Sequence, residues 1–298
     1  MSDIADVLTS QGDLTGAIAT YNEALAATTN VRDRSGQITA LARKADVMVW
    51  QGDLQGAKKL YHDTVNTARN INRKAEEVDA LDSYAQLLIL EGDLTAAAET
   101  CQEIRALNVA IGKKGTQTGS WRSSFDLLFE TGRAPQAETL AHDAVQESVK
   151  EQSSVVQAIA ENLVARSLLA QGKSGEAKDV VALAVVHGLA SNDVRVRLTS
   201  AITSASIRAV QGDLCNAEKE LAGVLDDAKR IGFFDLRLEA MMALADVQLR
   251  RGEQDPARIL LSALEADAAA HGFNLIATKA ANARKTRLVP PSTASRRR

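Results

Sequence analysis

The segment LARKADVMVWQGDLQGAKKLYHDTVNTARNINRKAEEVDA, residues 41–80, reads as two helices joined by one tight turn. From about Gln37 to Trp50, the residues Ile38, Leu41, Ala45, Met48 and Val49 recur at helical spacing and share one broad apolar face. Gly52 stops that helix, because glycine enters the left-handed conformation at little cost. Asp53 follows as an N-cap, its carboxylate placed to accept a free backbone N–H of the next helix. The second helix is expected over Leu54–Asn70, with Leu54, Ala57, Leu60, Tyr61, Thr64, Val65 and Ala68 turned inward. Two antiparallel helices with so short a connection make an αα-hairpin.

The hairpin repeats. Glycine stands at 12, 52, 92, 132, 172, 212 and 252, one every 40 residues, and alanine keeps the same beat at 17, 57, 97, 137, 177, 217 and 257. A fixed period of this size marks a solenoid of stacked supersecondary units, each packing on its neighbours. The chain therefore divides into repeats 1–40, 41–80, 81–120, 121–160, 161–200, 201–240 and 241–280, forming a single array over residues 1–283. Pro135 and Pro256 fall in the first turn of a second helix, where a missing N–H costs little. Asn274 to about Arg284 reads as a C-terminal cap helix covering repeat seven.

Composition agrees with closely packed helices and narrows function. Hydrophobic residues make up 45% but aromatics only 3%, so the core is built of Ala, Leu, Val and Ile. The last fifteen residues hold six cations and no acid, leaving residues 1–283 with 29 cations against 38 acids. An acidic body argues against nucleic acid as partner. The basic segment 284–298 is expected to be a disordered tail. Two cysteines, Cys101 and Cys215, fit a reducing, cytoplasmic setting. No apolar run is long enough to span a membrane.

The stretch QGDLTGAIATYNEALA at 11–26 resembles the turn and second helix of the tetratricopeptide repeat (TPR), with Gly12, Ala17, Tyr21 and Ala24 at the motif's glycine, alanine, aromatic and alanine places. Gly52, Ala57 and Tyr61 repeat most of it; Ala5, Ala45 and Ala85 take the small place of the first helix, and Trp121 a place where the motif often has tryptophan. A 40-residue unit is longer than the usual one and is similar to the extended repeats of kinesin-light-chain-like proteins and of arrays in bacterial signalling proteins. The resemblance implies an all-α solenoid of seven TPR-like repeats plus the cap helix, wound into a right-handed superhelix. It also implies protein interaction without catalysis.

By the same resemblance the first helices line a concave groove, and Asp6, Asp46, Gln86, Asp126, Arg166, Ser206 and Asp246 present one residue per repeat to it, with Arg43 and Arg122 interrupting the acids. Two readings stand side by side: a groove for a basic or mixed-charge peptide or helix, and a solvated polar face. Trp50, Val49, Ile89, Leu90 and Phe129 form an apolar strip beside that row, either as anchors for a partner or as inter-repeat core. The segment GKKGTQTGS, 112–120, interrupts the period and reads as a hinge or a longer turn. The four histidines are scattered and no metal-ligand spacing appears, so neither metal nor cofactor is expected. The expected role is an interaction scaffold, or alternatively a regulatory or ligand-sensing module of a larger signalling protein such as a kinase or transcription regulator. Self-association through the N-terminal face is a further expectation.

The alanines five residues after each glycine let paired helices approach closely. Ala57→Leu should therefore overpack the hairpin and cost ~1–3 kcal/mol. A urea midpoint unchanged from wild type would show that the position is not a helix–helix contact.

Overall fold

The computed structural model describes residues 1–112 and 120–285. The described residues form fifteen helices and no strand. Seven hairpins follow one another: α1 (Ser2–Gln11) with α2 (Leu14–Asn30), α3 (Arg34–Gln51) with α4 (Leu54–Asn70), α5 (Lys74–Glu91) with α6 (Leu94–Ala110), α7 (Arg122–Glu130) with α8 (Ala134–Lys150), α9 (Ser154–Ala170) with α10 (Ser174–Ser191), α11 (Val194–Val210) with α12 (Leu214–Ile231), and α13 (Phe234–Arg250) with α14 (Gln254–Ala270). α15 (Asn274–Lys285) closes the array, so Arg284 and Lys285 are helical, and Arg284 pairs with Glu265 of α14 at 2.8 Å. The remainder of the basic segment and most of GKKGTQTGS, expected as tail and as hinge or turn, lie outside the described residues. α7, just after that second segment, has 9 residues where α5 and α9 have 18 and 17.

The local signals act as their chemistry requires. Asp13, Asp53 and Asp93 accept hydrogen bonds from the backbone N–H of Gly16, Gly56 and Ala96 at 2.9, 2.8 and 3.0 Å. The small pair Ala45 and Ala57 is fully buried, as are Ala5 with Ala17 and Ala205 with Ala217. In the fourth hairpin Phe125 fills the small position and stacks on Phe129, with ring centroids 5.9 Å apart.

Contacts do not stop at neighbouring repeats, which corrects the expectation of a neighbour-only array. The ribbon returns on itself after five hairpins: α1 packs on α11, α3 on α13 and α5 on α15. The core follows the same path. Ala5, Tyr21 and Val47 share one apolar cluster with Leu221, Phe233 and Val247, while Leu54, Tyr61 and Leu87 share another with Leu261, Phe273 and Ala277. The hairpin turns of the first coil therefore rest on the inter-repeat turns of the second. Gly12 and Gly52, at φ +84° and +92°, serve twice here. They supply the left-handed conformation, and they leave room for the facing chain, since an added Cβ would lie 3.1 Å from Ile231 Cγ2 and 2.9 Å from Phe234 Cγ.

This seam explains a departure from the period. Away from the seam, Asp33, Ser153 and Asp193 precede the first helix of a repeat and cap it through their side chains, whereas the exposed Arg73 makes no such bond. At the seam the same place holds Phe233 and Phe273, with no side-chain cap but 0% and 1% exposure. A cap is worth about 1 kcal/mol. Full burial of a phenylalanine is worth more, roughly 1.5–3 kcal/mol. Phe273→Ala should cost about 3–5 kcal/mol and speed amide exchange at the start of α4 as well as in α13–α15. Faster exchange confined to α13–α15 would mean that the two coils are not energetically joined.

Candidate functional site

The odd-numbered helices face the superhelix axis, and from α3 to α15 they enclose a cavity of about 1080 Å³. That is large enough for a segment of polypeptide, since ligand sites commonly measure about 300–1,000 Å³. The structure brings Asp46, Gln86, Asp126, Arg166, Ser206 and Asp246 to its wall, together with Arg43, Arg122, Trp50 and Phe129. Asp6 is not among the lining residues; it is exposed and accepts a hydrogen bond from the Tyr21 hydroxyl. Val49 and Ile89 are buried, while Trp50, Leu90 and Phe129 are half-buried, so the apolar strip is part core and part channel surface.

Residues beyond the expected row complete the wall. Asp79, Thr199 and Glu239 lie one heptad before Gln86, Ser206 and Asp246 and hence on the same helix face. That seven-residue spacing was present in the sequence as a signal. Arg195 and Asp235 stand one period apart on the neighbouring helices α11 and α13, whereas Glu130 and Lys279 meet only through the coiling of the chain. Arg195 makes a bidentate pair with Asp235, Nη1 to Oδ1 at 3.0 Å and Nη2 to Oδ2 at 2.5 Å. Its guanidinium also stands over the ring of Trp50, 4.5 Å from the centroid, so this cation–π contact ties the first coil to the second. Lys279 of α15 reaches Glu130 of α7 at 2.6 Å and draws the cap helix against the fourth hairpin.

Six cationic and nine acidic side chains line the cavity. Several are matched: Arg43 with Asp46 at 3.7 Å, Arg250 with Asp246 at 2.6 Å, and the two pairs above. Arg122 and Arg166 have no ion-pair partner within 4 Å among the described residues, and Arg166 instead stands 5.0 Å over the Phe129 ring. Asp126 and Glu239 complete this group of charges held apart. Enclosure raises the carboxyl pKa of Asp46 and Asp126 by stripping solvent, against the opposing pull of Arg43 on the first and of Arg166 on the second. The wall thus carries an excess of acid that its own cations do not fully neutralise.

Asp82 has a structural task at the rim. Its Oδ1 accepts from Ser123 N at 3.1 Å and Ser123 Oγ at 2.6 Å, capping α7 from α5. Trp121 occupies the N-cap place of α7 and offers no such bond. Among the described residues, no group of three or more His, Cys, Asp or Glu could hold a metal ion, and no helix is long and apolar enough to cross a membrane.

No protein-family model matches the chain, and no curated protein matches it in sequence. Solved structures do match. A Rap protein complexed with competence and sporulation factor is similar with a TM-score of 0.59 at 11% identity, covering 84% of this chain and 74% of that one. A putative kinesin light chain with nearly identical TPR-like repeats, from Podosopora anserina, gives 0.45 at 18% identity over 64% of this chain and 94% of its own. The TPR domain of P58(IPK) gives 0.33 at 11% identity over 96% and 98%.

Burial lifts the Asp82 carboxyl from 3.8 to about 6, with the Ser123 hydrogen bonds opposing the shift. A raised acid favours the folded state in its protonated form. Its stabilising contribution is complete below about pH 4 and is lost as pH rises through 6. The stability of Asp82→Asn relative to wild type should therefore improve by up to ~3 kcal/mol between pH 4 and pH 7. Urea titrations of both proteins across that range measure the difference, and a constant difference would place the carboxyl in its ordinary range. By its hairpins, its 40-residue period and the likeness to the Rap structure, the chain has the fold of a TPR-like repeat protein.

Proposed function

We propose that this protein is a non-enzymatic interaction scaffold whose axial channel holds a peptide or helical segment of a partner protein, one of basic or mixed charge. The observation that carries this reading is the channel wall itself. It combines half-buried anchors, Trp50, Leu90, Phe129 and Met242, with the separated charges Arg122, Asp126, Arg166 and Glu239. Apolar side chains of a ligand gain by leaving water against the anchors. Its cations gain from carboxylates that the protein leaves under-compensated, and its carboxylates and main-chain carbonyls are met by Arg122 and Arg166.

The Rap protein with which the chain shares its fold was solved with a bound factor. That supports a second reading, a ligand-sensing module of a larger signalling protein, which would use the same channel.

Selection of linear peptides from a displayed random library on the intact protein tests the first reading. Enriched peptides should carry Lys or Arg beside apolar residues and bind more weakly as salt rises. Neutralising the wall with Asp126→Asn/Glu239→Gln should weaken them about tenfold or more, equivalent to about 1.4 kcal/mol. Peptides that bind both proteins equally, or a selection that enriches nothing, would remove the channel from the reading.

A further inference from the structure

The outward face of the fifth hairpin departs from the period. The twenty-third place of each repeat points away from the channel, and in the first four repeats it holds Glu23, Asp63, Glu103 and Asp143, all exposed. In the fifth repeat the same place is Leu183, at 52% exposure. Further along that face Val186 and Leu189 are 59 and 58% exposed, where the second repeat has Asn66 and Arg69. α10 does not need these side chains for its own packing. Its inward face is filled by Ala177, Val181, Ala184 and Gly188, all buried, and His187 turns to the buried Glu161, Nδ1 to Oε2 at 2.8 Å. A helix apolar all round is normally a covered helix. Among the described residues nothing covers this side of α10.

The order of residues along the face selects its occupant. From Ala182 to Ala190 the exposed residues read Ala, Leu, Val, Leu, Ala, and none is charged. That order is the same in both directions about Val186. Leu183 and Leu189 stand equally far from it, and so do Ala182 and Ala190. An isologous contact requires such self-complementarity, because residue i meets j wherever j meets i. With two copies of α10 antiparallel about a twofold axis at Val186, Leu183 of each copy comes level with Leu189 of the other. The alanines let the two helices approach closely. Charge on the flanking helices agrees. On α8 the same axis brings Asp143 of one copy nearly level with Lys150 of the other; both are exposed, and Lys150 pairs with Glu147 of its own helix at 2.9 Å. On α12 Asp226 meets its own counterpart, with the exposed Lys229 of each copy nearly one turn away. We propose that the protein forms a twofold dimer through the outer face of α10, with Val186 on the axis. One helix from each copy makes a small interface, so the dimer belongs to the weak, concentration-dependent class.

Sedimentation velocity of the full chain over a range of concentrations, with hydrogen exchange on the same samples, tests this. Wild type should pass from monomer to dimer as concentration rises, and exchange over residues 179–190 should slow in step. Val186→Asp and Val186→Lys each set like charges against one another on the axis. Each should weaken dimerisation about tenfold or more, with a melting temperature near wild type because the side chain is exposed. An equimolar mixture of the two variants should recover the dimer, which happens only if residue 186 of one copy meets residue 186 of the other. Asp126→Asn/Glu239→Gln should dimerise as wild type does, and weaker dimerisation there would move the contact to the channel. The proposal is overturned if Val186→Asp dimerises as wild type does or if the mixture stays monomeric. A wild type that is monomeric throughout overturns it as well. In that case slow exchange over residues 179–190 assigns the face to the protein's own chain, and fast exchange leaves it to a different protein.

Discussion

The contact between the first coil of the superhelix and the second is the constraint on which the rest depends. A helical repeat array held only by neighbours behaves as a one-dimensional stack, with each interface adding its own stability. Here α1, α3 and α5 also rest on α11, α13 and α15. A break at one repeat must then disturb a repeat five places away. Phe233 and Phe273 are the centre of this arrangement, both almost wholly buried where Asp33 and Arg73 are exposed and Ser153 and Asp193 half-buried. Their burial more than offsets the caps they replace, so the sequence changes character where the geometry changes.

Closure also creates the electrostatics of the channel. An open groove would leave Asp46 and Asp126 beside bulk water, with ordinary carboxyl behaviour. Coiling encloses them, and loss of solvent raises their proton affinity. The Arg195–Asp235 pair and Trp50 belong to both systems at once, as they line the cavity and span the two coils. Whatever fills the channel therefore touches the seam, and favourable contacts on both sides of it hold the coils together by linkage.

Much of this was legible in the chain, for reasons that are local. The helix Leu54–Asn70, its cap Asp53 and the stop at Gly52 each depend on a few adjacent residues, and all three stand as read. The inner row from Asp46 to Asp246 was what the resemblance to the tetratricopeptide repeat implied, and the structure puts these residues on the cavity wall. Asp6 left the row because one repeat more or less decides whether a position faces the cavity or the outside. The return of the ribbon after five hairpins was not legible. It results from a small rotation per repeat summed many times, and no single residue encodes that sum. Its trace was present all the same in Phe233 and Phe273, which stand where Asp33, Ser153 and Asp193 stand elsewhere.

Departures from the period carry physical information because a strict repeat gives each position a single environment. A position that keeps its residue type keeps its surroundings, as the buried alanines do. One that exchanges a capping residue for phenylalanine has acquired an apolar neighbour. The seam consumes apolar surface that the array supplies to itself.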